Sequence, residues 1–264
     1  MEYFTLSNGL KIPAVGSGTN TFAKTDNVYD GHTTEVVSAL EAGYRFFDTA
    51  EGYRNEEAIG SGVIESGVPR SEVFLCTKMS NREERVLGPE DTVASVERSL
   101  AKLKTDYIDL YLLHFPRPTP EETAAVWEGF EACYEKGILK AIGVCNFQPE
   151  QLERLIADSR IPPMVLQVRR NPETWNVDAI ECAKRNGLIP MAWGPLRFDE
   201  KYRPALQEIG AKYGKNWAQT ILRYHFQTGC VTIPKSHSFA HQKENLDIFD
   251  FALTDAELAA IAAL

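Results

Sequence analysis

The sequence predicts a (β/α)8 barrel, on three observations. Its 264 residues match the roughly 250 that such a barrel needs. Short apolar runs alternate with segments of helical periodicity eight times along the chain, more turns than an open sheet of this length would take. Chemistry-bearing side chains also stand at or just past the carboxyl ends of those runs, where the loops of a parallel sheet converge. One domain is expected over 1–264.

The elements follow in order. LSNGLKIP places Asn8-Gly9 in the turn of a hairpin between short extended segments. Residues 14–19 supply the first barrel strand. The GSGTNT of 16–21 superficially matches GxGxxG, but Thr21 replaces the third glycine and no helix follows at once, which rejects a Rossmann turn. A helix over 33–42, carrying Val36, Val37 and Leu40, precedes a second strand that includes Tyr44, Phe46 and Phe47 and breaks off at Asp48. Residues 55–65 read as helix, and Pro69 and Ser71 mark the break before a strand over 73–77. Over 89–103, Val93, Val96, Leu100 and Leu103 form a core-facing stripe at helical spacing.

Strand four, 107–113, ends at His114. A helix over 121–135 stops at Gly137, and strand five, 139–144, leads into Cys145-Asn146. Pro149 opens a helix over 149–157. Strand six covers 164–168, a helix over 176–185 ends at Gly187, and strand seven covers 188–192. Helices over 204–213 and 217–226 precede strand eight, 230–233, and a last helix covers 256–264. GAKYGKN at 210–216 has the wrong spacing for a phosphate loop and lacks its final Ser or Thr, so it is assigned to a helix end and connector.

Composition narrows the class. A hydrophobic content of 44% with 25% charged residues is ordinary for a globular protein with a large core, and no stretch approaches the length of a membrane span. The start, MEYFTLSNGLKIP, lacks the basic and long apolar segments of a secretion signal. Cys76, Cys133, Cys145, Cys182 and Cys230 are odd in number and show no zinc spacing. Reduced thiols in a cytoplasmic protein, without a metal, are therefore expected. A net charge of −9 argues against a nucleic-acid backbone as main partner; a monomer is the default.

The stretch FDTAEGYRNE, 47–56, carries the chemistry. An apolar run ends in Asp48 and Tyr53 follows five residues later; VFLCTK ends in Lys78, and YIDLYLLH ends in His114. Taken singly, each has a structural reading: Asp48 as a helix cap, Tyr53 as a surface aromatic, Lys78 as a solvated strand end, His114 as a core histidine. Their joint occurrence at three strand ends is what points to a site. Lowering a phenol from its reference pKa of about 10 to roughly 7 takes on the order of 4 kcal/mol. One lysine about 4 Å away supplies that at an effective dielectric near 20, and Asp48 would keep Lys78 charged.

With FDTA..Y.NE, the TK strand end, LLHFP, GVCNF and IPKS in this order, the chain resembles the aldo-keto reductase superfamily from Gly18 to Asn245. The nearest likeness is the bacterial diketo-gluconate reductase branch. The resemblance implies reduction of aldehydes or ketones by hydride transfer, with NADPH as cofactor. Tyr53 would be the proton donor, Asp48 and Lys78 its tuning pair, and His114 the group that orients the carbonyl. The N-terminal hairpin would plug the bottom of the barrel.

It further implies a nicotinamide stacked on Trp193, where tyrosine is common, with Asn146 and Gln167 at its carboxamide. Cys145 and Gly194 stand where serine is frequent, followed by Pro195 and Leu196, while Gly18, Thr19 and Asp48 line the near wall. Pro234, Lys235, Ser236 and Ser238 would hold the adenosine end, with Glu244 and Asn245 at the adenine. Backbone N–H groups over 236–239, at a helix start, suit an anion. His241 stands where many members have arginine; a mostly neutral imidazole grips a phosphate less well than a guanidinium, so NADPH is expected with reduced preference over NADH.

Pocket positions often filled by tryptophan fall on Asn20, Ser80 and Phe115, with Phe22 beside them. This less aromatic pocket, with Arg170 and Arg197 near, suggests a polar carbonyl, although both arginines also read as rim charges in water. The short loop after Leu196 and the end at Leu264 suggest an open site, an appearance that truncation of a longer protein would also give. The alternatives are a nicotinamide-binding sensor without turnover, or another barrel enzyme: a glycosidase, which needs paired acids, or a Schiff-base aldolase.

Overall fold

The computed structural model describes residues 2–26, 28–80 and 88–264. Eight parallel strands follow one another around the sheet in chain order: β1 Ser17–Gly18, β2 Phe46–Asp48, β3 Phe74–Met79, β4 Leu110–Leu113, β5 Ile142–Cys145, β6 Val165–Arg169, β7 Ile189–Trp193 and β8 Val231–Ile233. The first and last close on each other. Val15 pairs with Thr232, Gly16 N–H donates to Thr232 O at 2.9 Å, Thr232 N–H to Ala14 O at 3.0 Å, and Gly18 N–H to Pro234 O at 3.0 Å. The closed sheet leaves no open edge, and its strands are buried almost throughout, as parallel strands covered by helices must be.

The helices between them are α1 Thr34–Ala42, α2 Glu56–Glu65, α3 Pro89–Leu103, α4 Pro120–Glu135, α5 Pro149–Asp158, α6 Val177–Arg185, α7 Arg203–Ala211, α8 Trp217–Gln227, α9 Phe239–Leu246 and α10 Asp255–Ala262. Their starts follow local chemistry. Thr119 and Thr254 each form a reciprocal cap with a glutamate three residues on, satisfying backbone donors that a helix start leaves open. Among the described residues no helix is long and apolar enough to cross a membrane.

The expected hairpin pairs Tyr3–Thr5 with Lys11–Pro13 and turns at Gly9, whose φ is +88°. Its Leu6 and Ile12 join the barrel core, and Asn8 Nδ2 donates to Lys140 O at 2.9 Å, just before β5. It therefore lies at the amino ends of the strands, opposite the loops of interest. Strand four starts later than expected, because Asp109 Oδ2 takes the Leu75 N–H at 2.9 Å and the Arg70 guanidinium at 2.7 Å before the regular ladder begins. A small hairpin, Lys24–Thr25 with Val28–Tyr29, was not expected. The 210–216 stretch is the helix end and connector foreseen, with Gly214 at φ +69°.

Gly60 shows how tightly the helices pack. A Cβ there would stand 2.3 Å from Leu103 O, at the end of α3, and backbone cannot swing aside as a side chain can. Gly60→Ala should cost about 1–3 kcal/mol, read as a lower urea midpoint at unchanged slope; an unchanged midpoint would mean that α2 and α3 pack less closely.

Candidate active site

The parallel register brings the candidate residues together. Asp48 pairs with Cys76, and Lys78 with Leu112. Side chains two apart share a face, so Asp48, Lys78 and His114 project to one side. Gln167 lies across from them, paired with Cys145 on β5 and Met191 on β7, and Trp193 follows two residues later. All of them stand at the carboxyl ends of the strands.

Lys78 and Asp48 form the buried base of the site, at 0% and 2% exposure. Lys78 Nζ donates to Asp48 Oδ1 at 2.6 Å and to Thr49 O at 2.8 Å, and Gln167 Nε2 donates to Asp48 Oδ2 at 2.7 Å. Both carboxylate oxygens are thus satisfied, as a buried charge requires. Burial opposes the charge on Lys78, but Asp48 and then Tyr53 more than offset it, so its pKa lies above the ordinary lysine value. Its ammonium stands 5.1 Å from the centre of the Tyr53 ring.

Tyr53 and His114 meet edge to face at 5.9 Å between ring centres, and His114 stacks on Phe115 at 4.7 Å. Burial pushes the Tyr53 phenol above its usual pKa; Lys78 pulls it down by charge and hydrogen bond, while Asp48 and Cys145 push it up again. This corrects the expectation of a phenol tuned toward neutrality. The Asp48 carboxylate offsets much of the lysine's field, and burial outweighs what remains.

Much of FDTAEGYRNE is scaffold for Tyr53. Glu51 accepts from Ser80 N–H at 2.8 Å and Ser95 Oγ at 2.6 Å, tying the loop to β3 and α3. Asn55 accepts from Thr49 Oγ1 at 2.8 Å and donates to Thr19 O at 2.7 Å, fastening it to β1. Glu56, in the first turn of α2, accepts from Thr77 Oγ1 at 2.7 Å.

Above this base opens a cavity of about 760 Å³ lined by residues in or just after seven of the strands. Gly18, Thr19, Asn20, Thr21, Asp48, Tyr53, His114, Phe115, Cys145, Asn146, Gln167, Trp193, Gly194, Pro195, Leu196, Arg197, Ile233 and Lys235 form its wall. Asn146, at φ +63°, bridges two of them: Nδ2 donates to His114 O at 3.1 Å, and Oδ1 accepts from Trp193 Nε1 at 3.0 Å. The indole is thereby pinned. Cys145, whose thiol burial pushes up to about 12, contacts Gln167 Oε1 at 3.6 Å.

Several expected residues stand elsewhere. Lys78 lies behind the wall. Phe22 is fully buried and packs edge-on against His237 at 5.4 Å, and Ser80 is buried beneath the Tyr53 loop, so neither belongs to the described wall. Pro234 stands just before Lys235 and takes the Gly18 N–H, while Ser236, Ser238, His241, Glu244 and Asn245 continue beyond Lys235 into α9, with the Ser238 side chain capping that helix. Glu244 accepts from Asn216 at 3.2 Å, and Asn245 bonds the Tyr44 hydroxyl.

Arg170 is neither pocket nor rim. It is buried, donates to Thr228 Oγ1 at 2.9 Å and sits 3.3 Å from His225 Nδ1, because its side chain leaves the strand end toward α8. Thr21, Ile233 and Glu51 are functional neighbours that sequence reasoning missed. Asn171, in QVRRNP, has no role that its sequence position assigns; its Nδ2 donates to Gly194 O at 3.0 Å and Arg197 O at 2.9 Å, shaping the 194–197 wall.

The wall fits a nicotinamide dinucleotide. Trp193 offers a fixed aromatic face beside Tyr53 and His114. At the β1–β8 junction, a Cβ on Gly18 would come within 3.0 Å of Ile233 O, so the glycine keeps this wall open. Burial lowers the Lys235 pKa, and Arg197 and Lys24 lower it further, which marks a concentration of positive charge suited to phosphates.

The comparisons agree with this geometry. Residues 14–264 match the Aldo/keto reductase family. The chain is 40% identical over 260 residues to the glyoxal reductase of Bacillus subtilis, covering 98% of this chain and 91% of that protein. It is 36% identical over 271 residues to the methylglyoxal reductase DkgA of Escherichia coli, covering 98% and 92%. The structure of a Bombyx mori aldo-keto reductase in complex with NADP superposes with a TM-score of 0.89 at 33% identity, covering 99% of this chain and 92% of that one. The chain belongs to the aldo/keto reductase family and is an NADP(H)-dependent carbonyl reductase.

Proposed function

We propose that the chain reduces small polar aldehydes and ketones, dicarbonyls above all, with Tyr53 as the proton donor. The observation that carries this reading is Tyr53 set between the His114 ring and the buried Lys78–Asp48 pair, facing the cavity. When bound, NADPH supplies the hydride. Tyr53 gives its proton to the oxygen that becomes the alcohol, as a general acid. His114 donates a hydrogen bond to the same oxygen and stabilises its developing charge. Lys78 stays an ammonium beside the phenol and stabilises the phenolate that proton transfer leaves, while Asp48 keeps Lys78 in place.

Trp193 would stack the nicotinamide; Asn146 holds the indole and Gln167 holds Asp48, and both amides would be available to the carboxamide. Lys235, Ser236, Ser238 and the start of α9 would hold the phosphates, and Glu244 and Asn245 the adenine. His241 in place of an arginine supports NADPH with a narrowed preference, NADH serving as second cofactor.

Asn20, Asn146, Arg197 and Lys235 on the wall support a polar substrate. The relatives named glyoxal and methylglyoxal reductase support a dicarbonyl. The test compares NADPH consumption with methylglyoxal, a diketo-gluconate and a long-chain aldehyde. Efficient turnover of the first two supports the reading; a strong preference for the lipophilic aldehyde overturns it.

The raised Tyr53 pKa has a definite sign. Reduction needs the protonated phenol, so reductive kcat/KM should stay level until pH rises past the reference phenol value of about 10. Alcohol oxidation needs the phenolate and should climb about tenfold per pH unit below that point. A reductive profile that falls with a midpoint near neutrality would contradict the burial-dominated phenol.

A further inference from the structure

Away from Tyr53, three segments form one cluster at the cavity rim, and two of them meet at a single oxygen. Thr21 follows β1, Lys235 and His237 follow β8, and Glu35 lies in the first turn of α1. Lys235 Nζ stands 2.9 Å from Thr21 Oγ1, and His237 Nε2 stands 2.8 Å from the same atom. His237 Nδ1 is 2.9 Å from Glu35 Oε1.

The imidazole is held on two sides. Glu35 takes Nδ1–H, the Phe22 ring packs against its flank, and Nε2 is left facing the rim beside the lysine, although the side chain as a whole is 48% exposed. Glu35 is itself buried and anchored from the other direction by His32 Nε2 at 2.7 Å, with Asp30 beyond it. Nearby charges are Lys24 and Arg197 on the cavity side. A neutral ring accepts the Thr21 hydroxyl proton at Nε2, and an imidazolium donates there to an anion. An oxygen approached by both an ammonium and an imidazole suits a phosphate, whereas a threonine hydroxyl brings no charge to meet them.

We propose that His237 is a phosphate-selective residue of the cofactor site. With Lys235 it takes a terminal oxygen of the 2'-phosphate of NADPH in place of the Thr21 hydroxyl, and Glu35 acts as the positioning residue that keeps Nε2 toward the anion. The proposal rests on the reading that residues 234–245 hold the adenosine end. Two donors meeting on one oxygen favour a terminal phosphate, which carries more charge per oxygen than the bridging diphosphate. The selectivity that His241 gives up at its own position is thereby partly met from the preceding loop.

Calorimetric titration of wild type, His237→Ala and Thr21→Val with NADP+, NAD+, adenosine 2'-monophosphate and adenosine 5'-monophosphate tests this without turnover. His237→Ala should lower the NADP+ to NAD+ affinity ratio about tenfold, and the 2'- to 5'-monophosphate ratio alike, as loss of one charge-assisted hydrogen bond does. Thr21→Val, which removes the competing hydroxyl, should hold or raise both ratios. An unchanged ratio in His237→Ala, or a Thr21→Val loss as large as that of His237→Ala, overturns the proposal and leaves the cofactor reading standing. Failure of the wild type to bind either dinucleotide overturns that reading, and the proposal with it.

Discussion

Tyr53→Phe should lower carbonyl reduction by about 10²–10⁴-fold, the usual contribution of a positioned acid, while NADPH binds as before. The phenyl ring keeps the edge contact with His114 and the place over Lys78. Lys78 remains fixed by Asp48 Oδ1 and Thr49 O, so only the transferable proton is lost. Single-turnover rates with cofactor affinity measured in parallel separate the two effects. A variant that reduces methylglyoxal within a few-fold of wild type would remove Tyr53 from the mechanism.

Lys78→Met should have the larger effect on the fold. It leaves Asp48 buried with one carboxylate oxygen uncompensated, and breaking such a pair costs about 3–5 kcal/mol. At about 2–4 °C per kcal/mol for chains approaching this size, the melting temperature should fall by roughly 6–20 °C, with reduction lost as well. The double variant Lys78→Met with Asp48→Asn removes the stranded charge and should recover much of the stability but none of the activity. Recovery of both would make the pair scaffold alone. An unchanged melting point in the single variant would mean that water reaches Asp48.

How far the sequence could be read depends on what kind of contact each residue makes. Asp48, Lys78 and His114 were legible because strand ends in a parallel barrel converge whatever the loops do. Trp193, Asn146 and Lys235 were legible through motif resemblance. The direction of the Tyr53 pKa was not, since burial depends on walls contributed by distant strands. Arg170 was misplaced because it lies one step past Arg169 at a strand end, and one residue's difference turns a side chain from loop to helix layer. Phe22 shares its loop with wall residues but fills the space beneath them.

Other features have no local signature. Glu51, Asn55 and Glu56 sit inside the most chemical-looking motif, yet their partners on α3, β1 and β3 make them scaffold. Asn171 spans to carbonyls at 194 and 197. The Thr21, Glu35, Lys235 and His237 cluster joins positions some two hundred residues apart, through the closure of β1 on β8. Lys24–Thr25 and Val28–Tyr29 pair only two residues on each side, too few for periodicity to register.

The central claim, carbonyl reduction in this cavity, is tested most directly by following NADPH and methylglyoxal together with the wild-type protein. The account predicts that both are consumed, with one alcohol formed for each NADPH oxidised. Tight NADPH binding without consumption of methylglyoxal, the diketo-gluconate or the long-chain aldehyde would contradict it and make the chain a nicotinamide-binding protein without turnover.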